Sequence, residues 1–74
     1  MNRTDYFFCE NFAKNLRHYM SETEMSAAKL ARIMDLNRKT VYRWMNGIKE
    51  PSIGQCRIVA GVLGVKMSDL TGEE

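Results

Sequence analysis

One short pattern occurs twice, eleven residues apart, and it restricts the fold more than any other feature of the sequence. Each copy places an apolar residue before a helix-capping residue, with a second apolar residue four positions after the cap. The first copy is Met25-Ser26 with Leu30, and the second is Leu36-Asn37 with Val41. In such a hydrophobic staple the capping oxygen accepts a first-turn amide, while the flanking apolar pair fixes how the chain enters the helix. Two staples at this spacing predict a helix over Ala27 to about Met34 and another opening after Asn37. Asp35-Leu36-Asn37 joins them, and Asp tolerates the left-handed conformation that can end a helix. Helices of little more than two turns do not survive alone. Tertiary contacts must therefore hold this pair, at an angle the short connection fixes.

The rest of the chain is also helical in pattern. It has a single proline and five glycines, and no segment alternates with period two. Thr4 or Asp5 is expected to cap a first helix running to about Ser21, with the stripe Phe8, Phe12, Leu16 and Tyr19/Met20. Asp5 and Glu10 suit its positive end, and Ser21-Glu22-Thr23-Glu24 is a polar break. In the second helix Leu30, Ala31 and Met34 face inward, while Lys29, Arg32 and Ala28 face outward. In the third, Val41, Trp44 and Met45 mark the inner face. Arg38, Lys39, Tyr42, Arg43 and Asn46 fall on the other side, and Gly47 is the stop. Asn46-Gly47 could turn a hairpin, but its flanks do not alternate.

Ser52 and Gln55 after Pro51 form a capping box that opens a fourth helix to about Leu63, with Gly64 as its stop. Its stripe is expected to be Ile53, Cys56, Val59/Ala60 and Leu63. Ile58 and Val62 fall opposite, beside the flat spots of Gly54 and Gly61. Val65, Met67 and Leu70 are expected to fold back around a final turn at Ser68-Asp69-Leu70, with Glu73-Glu74 frayed. The fold class is all-α.

Seventy-four residues with 45% hydrophobic content suffice for one thin core, because a chain this short buries only about 60% of its unfolded surface. The domain is expected to span residues 1–74, with flexible ends at 1–4 and 72–74. The formal net charge is +2, and its distribution says more than its size. Residues 25–49 hold Lys29, Arg32, Arg38, Lys39, Arg43 and Lys49 against Asp35, a local +5, between ends of −1 and −2. A polyanion would feel that middle.

Other chemistry lacks its residues. Cys9 and Cys56 are far apart with one histidine, His18, too few ligands for a zinc site. A Cys9–Cys56 disulfide is open to the spacing, but without a secretion signal both thiols are better taken as small buried hydrophobes. There is no phosphate-cradling glycine loop and no nucleophile–histidine set, so catalysis, a metal, a cofactor and a small-molecule substrate are not expected. No apolar run nears the ~20 residues of a membrane span, and the N-terminus lacks signal-peptide character. The expected location is cytoplasmic.

The register as a whole resembles the phage Cro/repressor type of helix-turn-helix domain, also called the xenobiotic-response-element type. The matching residues run from Phe12-x3-Leu16-Arg17 through Met25-Ser26-x3-Leu30-Ala31-x2-Met34-x-Leu36-Asn37. They continue with Arg38-Lys39-Thr40-Val41-Tyr42-Arg43-Trp44-x-Asn46-Gly47-x3-Pro51-Ser52 and end with Ala60-x2-Leu63-Gly64-Val65-x4-Leu70. The resemblance implies a compact five-helix, repressor-like domain of bacterial or phage origin, with the helix-turn-helix unit at about 26–46. Its third helix would enter the major groove of double-stranded DNA.

Carried over by position, Arg38, Lys39, Tyr42 and Arg43 would face base edges. Ser26, Ala27, Asn37, Thr40, Asn46 and Lys49 would lie at phosphates. Departures from the family pattern are Ala27 in place of a phosphate-gripping glutamine, where backbone amides remain available, and Asp35 in place of a turn glycine. Met20 and Met45 stand where many members pair an arginine with a glutamate. An apolar contact in place of a buried ion pair is often neutral or stabilising. Trp44 is expected in the core, and His18, Lys29 and Arg32 at the surface. An Arg3 arm in the minor groove is the less favoured alternative to a loose end.

The expected function is therefore a DNA-binding transcriptional regulator, by default a repressor occupying a palindromic operator as a weak homodimer through Ile58 and Val62. The alternative is an antitoxin-like protein-binding module using the fourth helix and the C-terminal turn.

Overall fold

The computed structural model describes the backbone of residues 3–72 and the side chains of residues 10–72. Five helices follow in order: α1 (Arg3–Glu22), α2 (Ala27–Met34), α3 (Arg38–Met45), α4 (Ile53–Leu63) and α5 (Met67–Thr71). The start of α1 corrects the expected one, since Thr4 and Asp5 lie inside the helix rather than at its cap. No glycine or proline interrupts residues 3–22, so nothing local stops the helix from reaching further back. The side chains of Arg3, Phe8 and Cys9, and all of Glu73-Glu74, lie outside the described residues.

α1 also runs through Ser21 and Glu22, so the break is shorter than the polar run suggests. It closes with a bond from Glu24 N–H to the Ser21 carbonyl (3.2 Å) and one from Met25 N–H to the Met20 carbonyl (2.8 Å). This pair of bonds around a left-handed residue is the Schellman ending. α2 repeats it with Asp35 N–H to Arg32 (3.2 Å) and Leu36 N–H to Ala31 (2.8 Å). α3 does so around Gly47 and Ile48, and α4 around Gly64 and Val65. The left-handed residues are Glu24, Asp35, Gly47 and Gly64, with φ of 56°, 55°, 70° and 71°.

Three of these endings flow directly into the next helix. Met25, Leu36 and Val65 follow the left-handed residue, pack against the core, and immediately precede the caps Ser26, Asn37 and Lys66. One apolar side chain thus anchors the end of one helix and the beginning of the next. The Ser26 hydroxyl accepts from Lys29 N–H at 3.0 Å and Asn37 Oδ1 from Lys39 N–H at 2.8 Å. The Asp69 carboxylate accepts from Lys66 N–H at 2.9 Å. The connection from α3 to α4 is the exception. Ile48 remains 65% exposed, and the chain runs on to the capping box, where Ser52 and Gln55 exchange bonds of 3.1 and 2.9 Å.

The inner faces meet in one apolar cluster drawn from all five helices: Phe12, Leu16 and Met20 from α1, Leu30 and Ala31 from α2, Val41 and Trp44 from α3, Val59 and Leu63 from α4, and Leu70 from α5. No polar side chain is buried among the described residues, so the core carries no desolvated charge that needs a partner. Cys56 is buried and unpaired with any described thiol. Ile53 departs from the expected stripe, being 72% exposed. It occupies the first position of α4, a turn before the covered positions begin at Cys56.

Candidate nucleic-acid interface

The placement of α3 follows from its neighbours on both sides. Val41 and Trp44 are fully buried, which fixes the rotation of the helix about its axis. The Asp35-Leu36-Asn37 connection fixes its angle to α2. What remains outside is Arg38, Lys39, Tyr42, Arg43 and Asn46, all exposed, with Thr40 half-buried at the flank. Tyr42 is 48% exposed, an aromatic ring held beside three cations. No carboxylate among the described residues pairs with Arg38, Lys39 or Arg43. Their charge is therefore uncompensated and acts outward.

The remaining candidate positions divide by what each can offer. Ser26 uses its hydroxyl oxygen for the α2 cap, and the Ala27 side chain is buried at 7% exposure. An anion at this end of α2 would meet backbone N–H groups, not a side-chain clamp. Asn37 likewise spends its carbonyl oxygen on Lys39 N–H, leaving its amide donors. Asn46 and Lys49 are exposed at and just beyond the end of α3, so the six positions divide among three helix ends: the start of α2, the start of α3 and the end of α3.

Ile58 is 52% exposed on α4, while Val62, four residues on, is more covered than expected. Val62 is half-buried against the core, at the edge of the face it shares with Ile58 and about 60° around the helix from buried Val59. The exposed apolar side chains of α4 are instead Ile58 and Ile53.

Met20 on α1 is buried and Met45 on α3 half-buried against the same cluster. Next to it lies a contact that sequence reasoning missed. The Arg17 guanidinium on α1 donates to the Met45 carbonyl at the end of α3. Arg17 entered the resemblance only as a matching position, and no spacing rule pairs a side chain with a carbonyl 28 residues away. Similarly, Asn15 Nδ2 donates to the Leu70 carbonyl of α5 at 2.9 Å.

Two short helices joined through a left-handed residue, the second presenting an exposed cationic face over a buried apolar one, define the helix-turn-helix class. A family model described as Helix-turn-helix matches residues 17–70. The chain belongs to this family, the Cro/repressor type, whose members are DNA-binding transcription regulators. Comparison with curated proteins and with solved structures gives no match. No helix among the described residues is long and apolar enough to cross a membrane.

Proposed function

We propose that this chain is a sequence-specific regulator that acts, by default as a repressor, by occupying an operator with α3 in the major groove. The observation that carries this is the outer face of α3, where Arg38, Lys39 and Arg43 are exposed around Tyr42 with no carboxylate partner among the described residues. Arg and Lys bond guanine O6 and N7, each good bidentate pair supplying about 1–3 kcal/mol of discrimination. Three cations on so short a face favour guanine-containing half-sites. Ser26, the Ala27 amide, Asn37, Thr40, Asn46 and Lys49 would set the register on phosphates. The work is done in the cytoplasm, where the genome is, and needs no catalytic group.

A two-fold pair on a palindromic site would set the two third helices about one turn of DNA, ~34 Å, apart. The exposed Ile58 of α4 would lie between them. In vitro selection of duplexes tests the reading, with affinity followed against salt. Enrichment of inverted guanine-containing half-sites and a steep fall of affinity with salt are expected. Absence of any enriched sequence would refute it.

The second reading, a partner-masking module, draws on the same exposed Ile53 and Ile58. Sedimentation of Ile58→Glu beside the parent, with and without the selected duplex, separates the two. Loss of self-association supports the pair, and unchanged association with loss of a co-purifying protein supports the partner.

A further inference from the structure

The last four carbonyls of a helix have no partner within it and must find one elsewhere. In α3 the backbone supplies three. Tyr42 O accepts from Asn46 N–H at 3.0 Å, Arg43 O from Ile48 N–H at 3.0 Å, and Trp44 O from Gly47 N–H at 3.3 Å. The fourth, Met45 O, accepts from the Arg17 guanidinium. The C-terminal end of α3 is therefore closed by a side chain from α1.

We infer that Arg17 is a positioning residue for sequence readout, holding the C-terminal end of α3 at the depth at which the helix presents Arg38, Lys39, Tyr42 and Arg43. This rests on the reading that α3 contacts base edges. The apolar contacts near the bond cannot do the same work. Met20 and Met45 are unbranched and adaptable, filling space without fixing a direction. A guanidinium-to-carbonyl bond is directional, and its charge also suits the negative end of a helix. Among the described residues Arg17 has no carboxylate partner and bonds to α3. A tilt of α3 by a fraction of an ångström at that end moves the Arg43 and Asn46 positions, which lie in the same last turn. Base-edge hydrogen bonds are more sensitive to such a shift than charge attraction to phosphates is.

The experiment compares the full chain with Arg17→Met and Arg17→Lys on the duplex selected by the parent and on a scrambled duplex of equal length. Salt is held constant and the temperature kept well below each protein's unfolding midpoint, measured in parallel. Arg17→Met should lose about fivefold on the selected duplex and at most about twofold on the scrambled one. Arg17→Lys, which keeps a charged donor of similar reach, should recover most of the difference. Equal losses on both duplexes, no loss on either, or a lysine variant indistinguishable from the methionine one would overturn the inference. Arg43→Ala serves as the reference. If it flattens sequence preference while Arg17→Met does not, positioning alone is refuted. If the parent selects no sequence, the reading of α3 fails and the inference with it.

Discussion

Glu24 occupies the same left-handed place after its helix that Gly64 occupies after another, with φ of 56° and 71°. A side chain with a Cβ pays about 1–2 kcal/mol for that conformation, while glycine gives back about 0.4–1 kcal/mol through its freer unfolded chain. Glu24→Gly should therefore stabilise the protein by about 0.5–1 kcal/mol, because the exposed Glu24 side chain offers no compensating ion pair among the described residues. Asp35 has the same geometry, φ 55° and ψ 47°, but its short side chain tolerates it better, so Asp35→Gly should gain less. Gly64→Ala reverses the sign. No atom lies within 4 Å of a Cβ built there, so its loss of about 1 kcal/mol is conformational alone. Trp44, the one tryptophan, is 1% exposed, and its fluorescence in urea reports unfolding directly. For a domain of this size 1 kcal/mol moves the thermal midpoint by about 4–8 °C, so Glu24→Gly should raise it by roughly 2–8 °C. A lowered midpoint for Glu24→Gly, or an unchanged one for Gly64→Ala, would refute the reasoning.

Leu30→Ala, at a fully buried site, should cost about 2–5 kcal/mol in urea denaturation, whereas Ile53→Ala, 72% exposed, should stay within about 0.5 kcal/mol. On the proposed DNA interface, Arg38→Ala or Arg43→Ala should remove guanine preference at one position of the selected site. Lys49→Ala should leave preference intact and shallow the salt dependence by about one phosphate contact. Burial raises the Cys56 thiol above its usual pKa. The folded state thus holds its proton more firmly than the unfolded chain, and the stability this contributes is complete below the unfolded value and lost as pH rises through the folded one. Stability should fall more steeply across the alkaline range in the parent than in Cys56→Ala, and equal slopes would count against it.

The helix boundaries of α2, α3 and α4 were visible in the sequence because caps and stops are local chemistry. Ser26, Asn37 and Ser52 each bond an amide two or three residues on, and such spacings can be seen without a fold. The rotation of α3 was visible too, since Val41 and Trp44 separate cleanly from Arg38, Lys39, Tyr42 and Arg43. The start of α1 was not, because no breaker limits it. Ile53 and Val62 escaped for a related reason. Periodicity gives a direction around α4 but not how far its neighbours extend along it. The Arg17 and Asn15 bonds to distant carbonyls depend on how α1 crosses α3 and α5, and such a crossing has no signature in residue spacing.

The Arg17 bond bears on whether the helix-turn-helix unit can be moved. Residues 26–46 look self-contained, with a cap at each start and a compact link between them. Yet the final carbonyl of α3 is closed by a residue that lies nine positions before the segment begins. A graft of 26–46 onto another scaffold would arrive with one open end and a looser tilt, keeping its charge and losing part of its discrimination. Anyone borrowing this reading head must bring a donor for Met45, or build one into the host.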